Sequence, residues 1–497
     1  MKRNTTVITL FLSLVLTACA APVQVAPQPA PQLDLQVPAT GAPEEERAAP
    51  AHLPTQPPAQ PAFSTAPLSD RILLTSYNRE KRLTELHAMD PATGLDIAGY
   101  EPISLGGSYA YASSPDRATL AVVAYAAESI PWGGVLRLID LQRWQDAATE
   151  VTLDGWGTSR MAFTQDGTRL AIATMHFADK THRIITLDVA SQTVAAQIEL
   201  DFNASTLEYV LDEQFLLVYG SQEDPTPEDL GDLSPEPRIA LLNPADLSVV
   251  WQLELPEILD GVYVEYYTSH TLWMPAVVLS ADRSKLYIVH ADDERLTTVD
   301  LQASAASTVE IRPSQSWLER LFVLTAGVAH AKMMNQTVKE AVLSADGKRL
   351  FVTGWSILTT YPEGLDLQVI DVSNGTEIAR VEAELSATIP VDHSRPNPVG
   401  VSGSQIALSS DGTRLYLRGG AEAIWTDVLD AVSLERVERV KGGELLPSLT
   451  LGGKPILLSA QGLNSQGQTR LTMFDPQTLE PFHTWFTPGD AQWIVMP

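Results

Sequence analysis

From about Leu68 onward the chain is written in short apolar runs that alternate with polar positions at a period of two, each stopped by a tight-turn sequence. That period belongs to the β-strand, whose successive side chains point to opposite faces. One hairpin recurs: "FTQDGTRLAI" (163–172), "LSADRSKLYI" (279–288), "LSADGKRLFV" (343–352) and "LSSDGTRLYL" (408–417). In each, an Asp-centred turn separates two strands, and Asp, Gly and Ser accept turn dihedrals or cap them through the side chain. The turn also stands at Pro115-Asp116-Arg117, and degenerate versions stand at Asp212-Glu213 and Gly452-Gly453.

A second turn follows each hairpin, in "MDPATG" (89–94), "IDLQRW" (139–144), "LDVASQ" (187–192), "LNPADL" (242–247), "VDLQAS" (299–304), "IDVSNG" (370–375), "LDAVSL" (429–434) and "FDPQTL" (474–479). The predicted unit is therefore strand a, tight turn, strand b, variable loop, strand c, Asp-centred turn, strand d. Its copies lie about 45 to 71 residues apart, which brackets a four-stranded blade with variable loops. A four-stranded meander that is apolar on both faces cannot bury itself, but copies stacked around an axis cover each other. The S-x-D-G-x-x-L-Y-V unit with its trailing V-x-D resembles the YVTN-type repeats of bacterial β-propellers, relatives of WD40 and lactonase-like blades, over roughly 70–497. The resemblance implies an all-β propeller of about eight blades. Seven is the alternative, because the last two hairpins are weak.

The first unit opens directly on "RILLTSY", which reads as strand b, and "QWIVMP" (492–497) is left over at the other end. Placed beside that strand b, the leftover strand completes the first blade and closes the ring. A frayed tail is the competing reading.

In an a-b-c-d meander the a–b and c–d turns share one rim, and the b–c loops and d-to-a crossovers share the other. Every long insertion falls in the second class: b–c loops 125–134, 220–237 and 354–364, and crossovers 255–272, 313–337 and 384–402. Variable loops on a rigid scaffold are where binding usually resides. The candidate partner-binding residues at or near strand ends entering that rim are Tyr125, Trp132, Trp156, His176, His290, Trp355 and Arg418, since aromatic rings and Arg are common interface anchors. Blade-to-blade packing is the competing reading for each aromatic. The loop 220–237 holds six acids without the spacing of a calcium loop, so a solvated acidic loop is expected. Segment 315–334 reads as a helix with an apolar stretch too short to span a bilayer.

Composition then adds a location. The chain carries 33 basic against 61 acidic residues, a net charge of −28, which opposes both nucleic acid and an anionic bilayer surface. A membrane link is expected from the N-terminus instead. Met1-Lys2-Arg3, the apolar run Val7 to Leu16 and Leu16-Thr17-Ala18-Cys19 read as a signal segment over 1–18. "LTAC" resembles the lipobox of bacterial lipoproteins, which implies lipid attachment at Cys19, the only cysteine in the chain. Residues 19–68 follow as a tether, with 12 prolines among positions 20–68, a composition that favours extended chain. The propeller is expected over 69–497.

Catalytic motifs are scarce. Nine histidines make no H-x-x-x-H or H-E-x-x-H pair, and no G-x-S-x-G elbow or phosphate-cradling glycine loop is present. No catalytic residue, metal ligand or cofactor is assigned on sequence. The leading expectation is a lipid-anchored extracytoplasmic propeller, at the cell surface or in the periplasm, that binds an envelope protein or other envelope component. The alternative is a propeller enzyme, resembling lactonase or quinoprotein families, with residues from several blades converging at the axial pore. A third reading is a tethered secretion or assembly factor.

Overall fold

The computed structural model describes residues 71–495 apart from 79–82, 126–133, 147–150, 154–155, 177–180, 222–236, 266–268, 314–337, 356–365, 383–405, 420–424, 442–443, 452–453, 462–467 and 489. The expected signal segment, the tether, Trp132 and the helix over 315–334 lie outside these residues.

Every element among the described residues is a strand. The strands form eight antiparallel meanders, arranged as an eight-bladed β-propeller. Blade 3 shows the plan in full, with Trp156–Phe163, Arg169–His176, His182–Asp188 and Thr193–Leu200 as strands a to d. Blade 4 repeats it with Asn203–Val210, Phe215–Ser221, Arg238–Leu242 and Val249–Glu254. Blade 5 has Ala276–Leu279, Lys285–Val289, Arg295–Asp300 and Ala305–Glu310. Blade 6 has Val338–Leu343, Arg349–Trp355, Asp366–Asp371 and Thr376–Glu382. One long strand, Ile103–Ser113, is shared: its first half pairs with blade 1 and its second half opens blade 2. Strands a of blades 3 and 4, 5 and 6, and 6 and 7 lie against one another, which makes a the innermost strand.

The two-faced strands explain the ring. In strand b of blade 4, Leu216 and Val218 face a cluster shared with blade 3, while Leu217 and Tyr219 face a cluster shared with blade 5. Eight such clusters among the described residues each join one blade to the next, including the pair 8 and 1. Polar stitches reinforce them. Arg283 of blade 5 donates to the Tyr209 carbonyl of blade 4 at 2.9 Å, and Arg169 of blade 3 to the Pro244 carbonyl of blade 4 at 3.1 Å.

The hairpin that names the repeat is held by its own side chains. In blade 6 the Ser344 hydroxyl donates to Asp346 Oδ1 at 2.6 Å, and the same oxygen accepts the Lys348 N–H at 3.2 Å. Ser344 Oγ in turn accepts the Arg349 N–H at 2.9 Å. The Ser or Thr to Asp bond recurs at 114/116, 164/166, 280/282 and 409/411, at 2.6 or 2.7 Å. The residue after the Asp adopts positive φ in all five turns: Gly167, Gly347 and Gly412 near 70°, Arg117 at 57° and Arg283 at 54°. Glycine takes that backbone region without the steric cost that the two arginines bear.

Closure occurs as the leftover C-terminal run requires. Asp490–Val495 pairs antiparallel with Ile72–Asn78, with Leu74 opposite Ile494 and Thr75 opposite Trp493. The last strand of the chain is thus strand a of blade 1, and the tail reading falls. The eight-blade count stands and the seven-blade alternative does not, because the weak seventh and eighth hairpins both form complete blades.

Two tests follow from this architecture. Deleting 490–497 leaves strand b of blade 1 unpaired on its inner edge, so thermal melts should show a loss of more than about 3 kcal/mol. The serine bond is the largest influence holding the Asp346 carboxyl below the usual carboxylate range. A carboxyl lowered in this way lends stability that is complete above its unfolded value of about 3.9 and is lost as pH falls through the folded value. Asp346→Asn should therefore destabilise at pH 7 by roughly 0.5–1 kcal/mol, allowing for screening at this exposed turn. Melts repeated in acid should converge with the wild type once the Asp346 carboxyl is protonated in the folded state.

Candidate functional site

The two rims differ in what their backbone and side chains are committed to. On one rim the a–b turns close within 114–118, 164–168, 211–214, 280–284, 344–348 and 409–413, and five of them spend a serine or threonine hydroxyl and an aspartate on themselves. On the opposite rim the strands flank 126–133, 222–236, 314–337, 356–365 and 383–405, stretches outside the described residues. The crossover from blade 4 to blade 5 is described, and it holds an extra hairpin, Gly261–Glu265 paired with Ser269–Trp273. Leu255 and Ile258 anchor its start in the cluster between blades 4 and 5. At its end Met274 makes a parallel bridge to Val338, at the start of strand a of blade 6.

Six of the seven candidates expected from sequence are among the described residues, at strand ends on blades 2, 3, 5, 6 and 7, and Trp132 lies outside them. Tyr125 ends strand b of blade 2 opposite Gly134. Trp156 starts strand a of blade 3 directly opposite His176, which ends strand b. Trp355 ends strand b of blade 6 opposite Val338, and Arg418 pairs with Thr426 in blade 7. For Tyr125, Trp156, Trp355 and Arg418 the backbone alone is described. His290 is the candidate around which the structure builds a site.

His290 follows strand b of blade 5 and opens the short b–c loop His290-Ala291-Asp292-Asp293-Glu294. Its N–H donates to the Arg295 carbonyl at 3.0 Å, which closes the loop. The side chain is fully buried. Its Nε2 lies 2.7 Å from Thr297 Oγ1, itself 2.8 Å from Thr308 Oγ1. Its Nδ1 faces Asp293 Oδ1 at 3.5 Å, and neither atom has a hydrogen-bond partner. The other Asp293 oxygen accepts from Arg295 Nε, and Arg295 also grips Glu257 of the crossover through its carboxylate and carbonyl at 3.0 and 2.9 Å.

Blade 6 supplies the far wall. Lys339, in strand a and only 6 % exposed, donates to the Asp293 carbonyl at 3.0 Å. Arg380, in strand d, donates to Glu294 at 3.1 Å and to Glu377 at 2.6 Å, and Gln368 donates to Glu377 at 2.6 Å. Two blades and the crossover thus meet in one charged network on the insertion-bearing rim. The charged groups that meet here are joined by contacts spanning 38, 46 and 86 residues of sequence, and strands a of blades 5 and 6 being neighbours brings the two blades' groups together.

Burial sets the charges here. It pulls His290 down to about 3, with the Arg295 and Lys339 cations adding to the effect, so the imidazole is neutral at physiological pH. It pulls Lys339 down to about 8 against the opposing pull of Asp293, Glu294 and Asp292. Burial likewise raises Asp292, and the Asp293 charge adds to it. One ligand atom from each of His290, Asp292 and Asp293 lies within 4.8 Å of the others. Further along the crossover, Asp260 is buried beside the Tyr219 hydroxyl, and desolvation lifts it to about 6.

Sequence reasoning missed Asp292, Asp293, Arg295 and Lys339. The available signal was the run of three acids, Asp292 to Glu294, two residues after a strand-end histidine in a short b–c loop. Lys339 gave no signal, since a lysine in an alternating strand reads as a solvent-facing position.

No family profile and no curated protein matches the chain. Solved structures share its fold. A dihydro-heme d1 dehydrogenase, NirN, in complex with DHE is 12% identical, with a TM-score of 0.56 over 88% of this chain and 77% of that one. BamB from Moraxella catarrhalis is 12% identical, with a TM-score of 0.43 over 77% of this chain and 88% of that one. The periplasmic gluconolactonase PpgL of Pseudomonas aeruginosa is 17% identical, with a TM-score of 0.41 over 86% of this chain and 99% of that one. At 12% identity the likeness to NirN reaches the fold and stops there.

The buried Asp260 generates a pH-dependent expectation. A carboxyl whose folded value is raised to about 6 favours the protonated form, so its contribution is complete below the unfolded value and is lost as pH rises through the folded one. Asp260→Asn should therefore melt higher than the wild type at pH 7.5, by roughly 1–2 kcal/mol, and show little of that advantage at pH 4.5.

Proposed function

We propose that this protein is a lipid-anchored, extracytoplasmic binding or scaffold propeller that engages an envelope protein or another envelope component through the rim bearing the insertions. The observation that supports the rim most is the unequal commitment of polar groups. One rim uses its turn hydroxyls and carboxylates internally, while the other gathers charged side chains of two blades and of the crossover segment before the extra hairpin at a single place. Holding so many charges at a partly buried position is costly unless they are paired or meet a ligand. The anchor rests on the lipobox-like Leu16-Thr17-Ala18-Cys19 and the proline-rich stretch after it, which would hold the propeller away from the bilayer. The strong net negative charge argues against nucleic acid as the partner.

A second reading, a propeller enzyme with its site at the axial pore, draws on Lys339. This lysine lies on an innermost strand and gives up its proton near pH 8, within the range of a general base.

Two measurements separate these readings. Cys19→Ala should move the full-length chain from the membrane to the soluble fraction, and unchanged membrane retention removes the anchor. Crosslinked envelope complexes isolated with the wild-type chain should be lost on deletion of 314–337 or on Asp292→Lys, and retained on Lys348→Glu at the opposite rim. Loss with Lys348→Glu alone overturns the rim assignment, and Lys339-dependent hydrolysis of a lactone without any stable complex favours the enzyme.

A further inference from the structure

The arrangement around His290 has the features of a metal-binding site rather than of an ion pair. A buried imidazole nitrogen normally has a hydrogen-bond partner, yet His290 Nδ1 has none, and the Asp293 Oδ1 it faces has none either. Their separation of 3.5 Å is longer than a normal ring N–H to oxygen bond. It does match the spacing of two ligands on one tetrahedral ion, because metal–nitrogen and metal–oxygen bonds of about 2.0 and 2.1 Å at a tetrahedral angle set the two atoms about 3.3 Å apart.

The outer contacts support the same assignment. A ring nitrogen that binds a metal needs its lone pair, so the proton must sit on the other nitrogen. His290 Nε2 lies 2.7 Å from Thr297 Oγ1, placed to accept that proton's hydrogen bond, and the threonine hydroxyl is placed to donate in turn to Thr308 Oγ1 at 2.8 Å. On the other side, Arg295 occupies Asp293 Oδ2 and leaves Oδ1 directed at the imidazole. Lys339 fixes the Asp293 backbone through its carbonyl at 3.0 Å. Asp292 brings a third ligand atom within 4.8 Å of the other two and is exposed.

We infer that His290 Nδ1, Asp293 Oδ1 and an Asp292 carboxylate oxygen form a binding site for a divalent cation of the zinc class, with a fourth position open to the insertion-bearing rim. One imidazole with two carboxylates suits such an ion better than calcium, which takes six to eight oxygen ligands. The local charge agrees: the contacts that join this network carry the carboxylates of Asp292, Asp293, Glu294, Glu257 and Glu377 against three cations, an excess of two negative charges. Three protein ligands with an open position is the arrangement of sites where the ion also holds an exogenous group. The site would therefore let a partner or small ligand on this rim bind through a donor atom of its own. This inference does not depend on which partner the rim engages.

The test is Zn2+ binding to the full-length chain by calorimetry, in competition with a chelator of known affinity. The wild type should take up one tightly bound Zn2+ per chain and melt at a higher temperature with it. Asp292→Asn should weaken binding at least about tenfold without lowering the metal-free melt, and Thr297→Val should weaken it by about 10- to 100-fold through loss of the tautomer restraint. His290→Ala should abolish saturable binding. Absence of saturable Zn2+ binding by the wild type, or wild-type affinity in Asp292→Asn, overturns the assignment.

Discussion

A four-stranded meander with apolar side chains on both faces has no stable existence by itself. Each blade of this protein buries one face only because the previous blade stands against it, and the other only because the next one does. Leu216 and Leu217, adjacent in sequence, serve two different cores. That requirement has no natural end in an open stack, and it is met here by pairing the last strand of the chain with the first. The contact between Asp490–Val495 and Ile72–Asn78 therefore completes the core between blades 8 and 1, and cooperativity around the ring rests on it.

The ring also sorts the chain's polar chemistry. Turns on one rim must be short, since each hands a strand directly to its neighbour, and they solve their backbone demands with a hydroxyl and a carboxylate from within the turn. Those groups are not available to a ligand. The other rim absorbs insertions without disturbing the blades, and it brings unrelated loops side by side wherever inner strands touch. At the boundary of blades 5 and 6 this places a neutral imidazole, a lysine of lowered basicity and several carboxylates in partial burial. Desolvation, not contact with any single opposite charge, is the main cause of these shifts, which is why they appear at this crowded seam and not at the exposed turns.

The fold was legible because its information is local. Asp346-Gly347 and its counterparts announce turns by chemistry that acts over four or five residues, and the spacing of the c–d turns counts the blades. Closure was legible as well, since a first unit lacking strand a and a surplus strand at the end have one economical solution. The site was legible only in part. His290 stood out as a lone histidine at a strand end, and Asp293 shares its short loop, but Lys339 comes from the next blade and no periodicity connects it to them. The crossover after blade 4 carried alternating apolar residues, yet it was read as a loop because the repeat left no place for an additional hairpin. The aromatic candidates scattered for the same reason: a strand end specifies a rim and not a position around it.

The central claim is that recognition belongs to the insertion-bearing rim and is absent from the rim of repeated turns. The most direct measurement places a photo-crosslinking residue at position 256, exposed on the crossover beside the charged network, or at position 348 of the full-length chain in intact cells. Adducts should form from position 256 and be absent from position 348. Adducts from position 348 with none from position 256 would contradict the account.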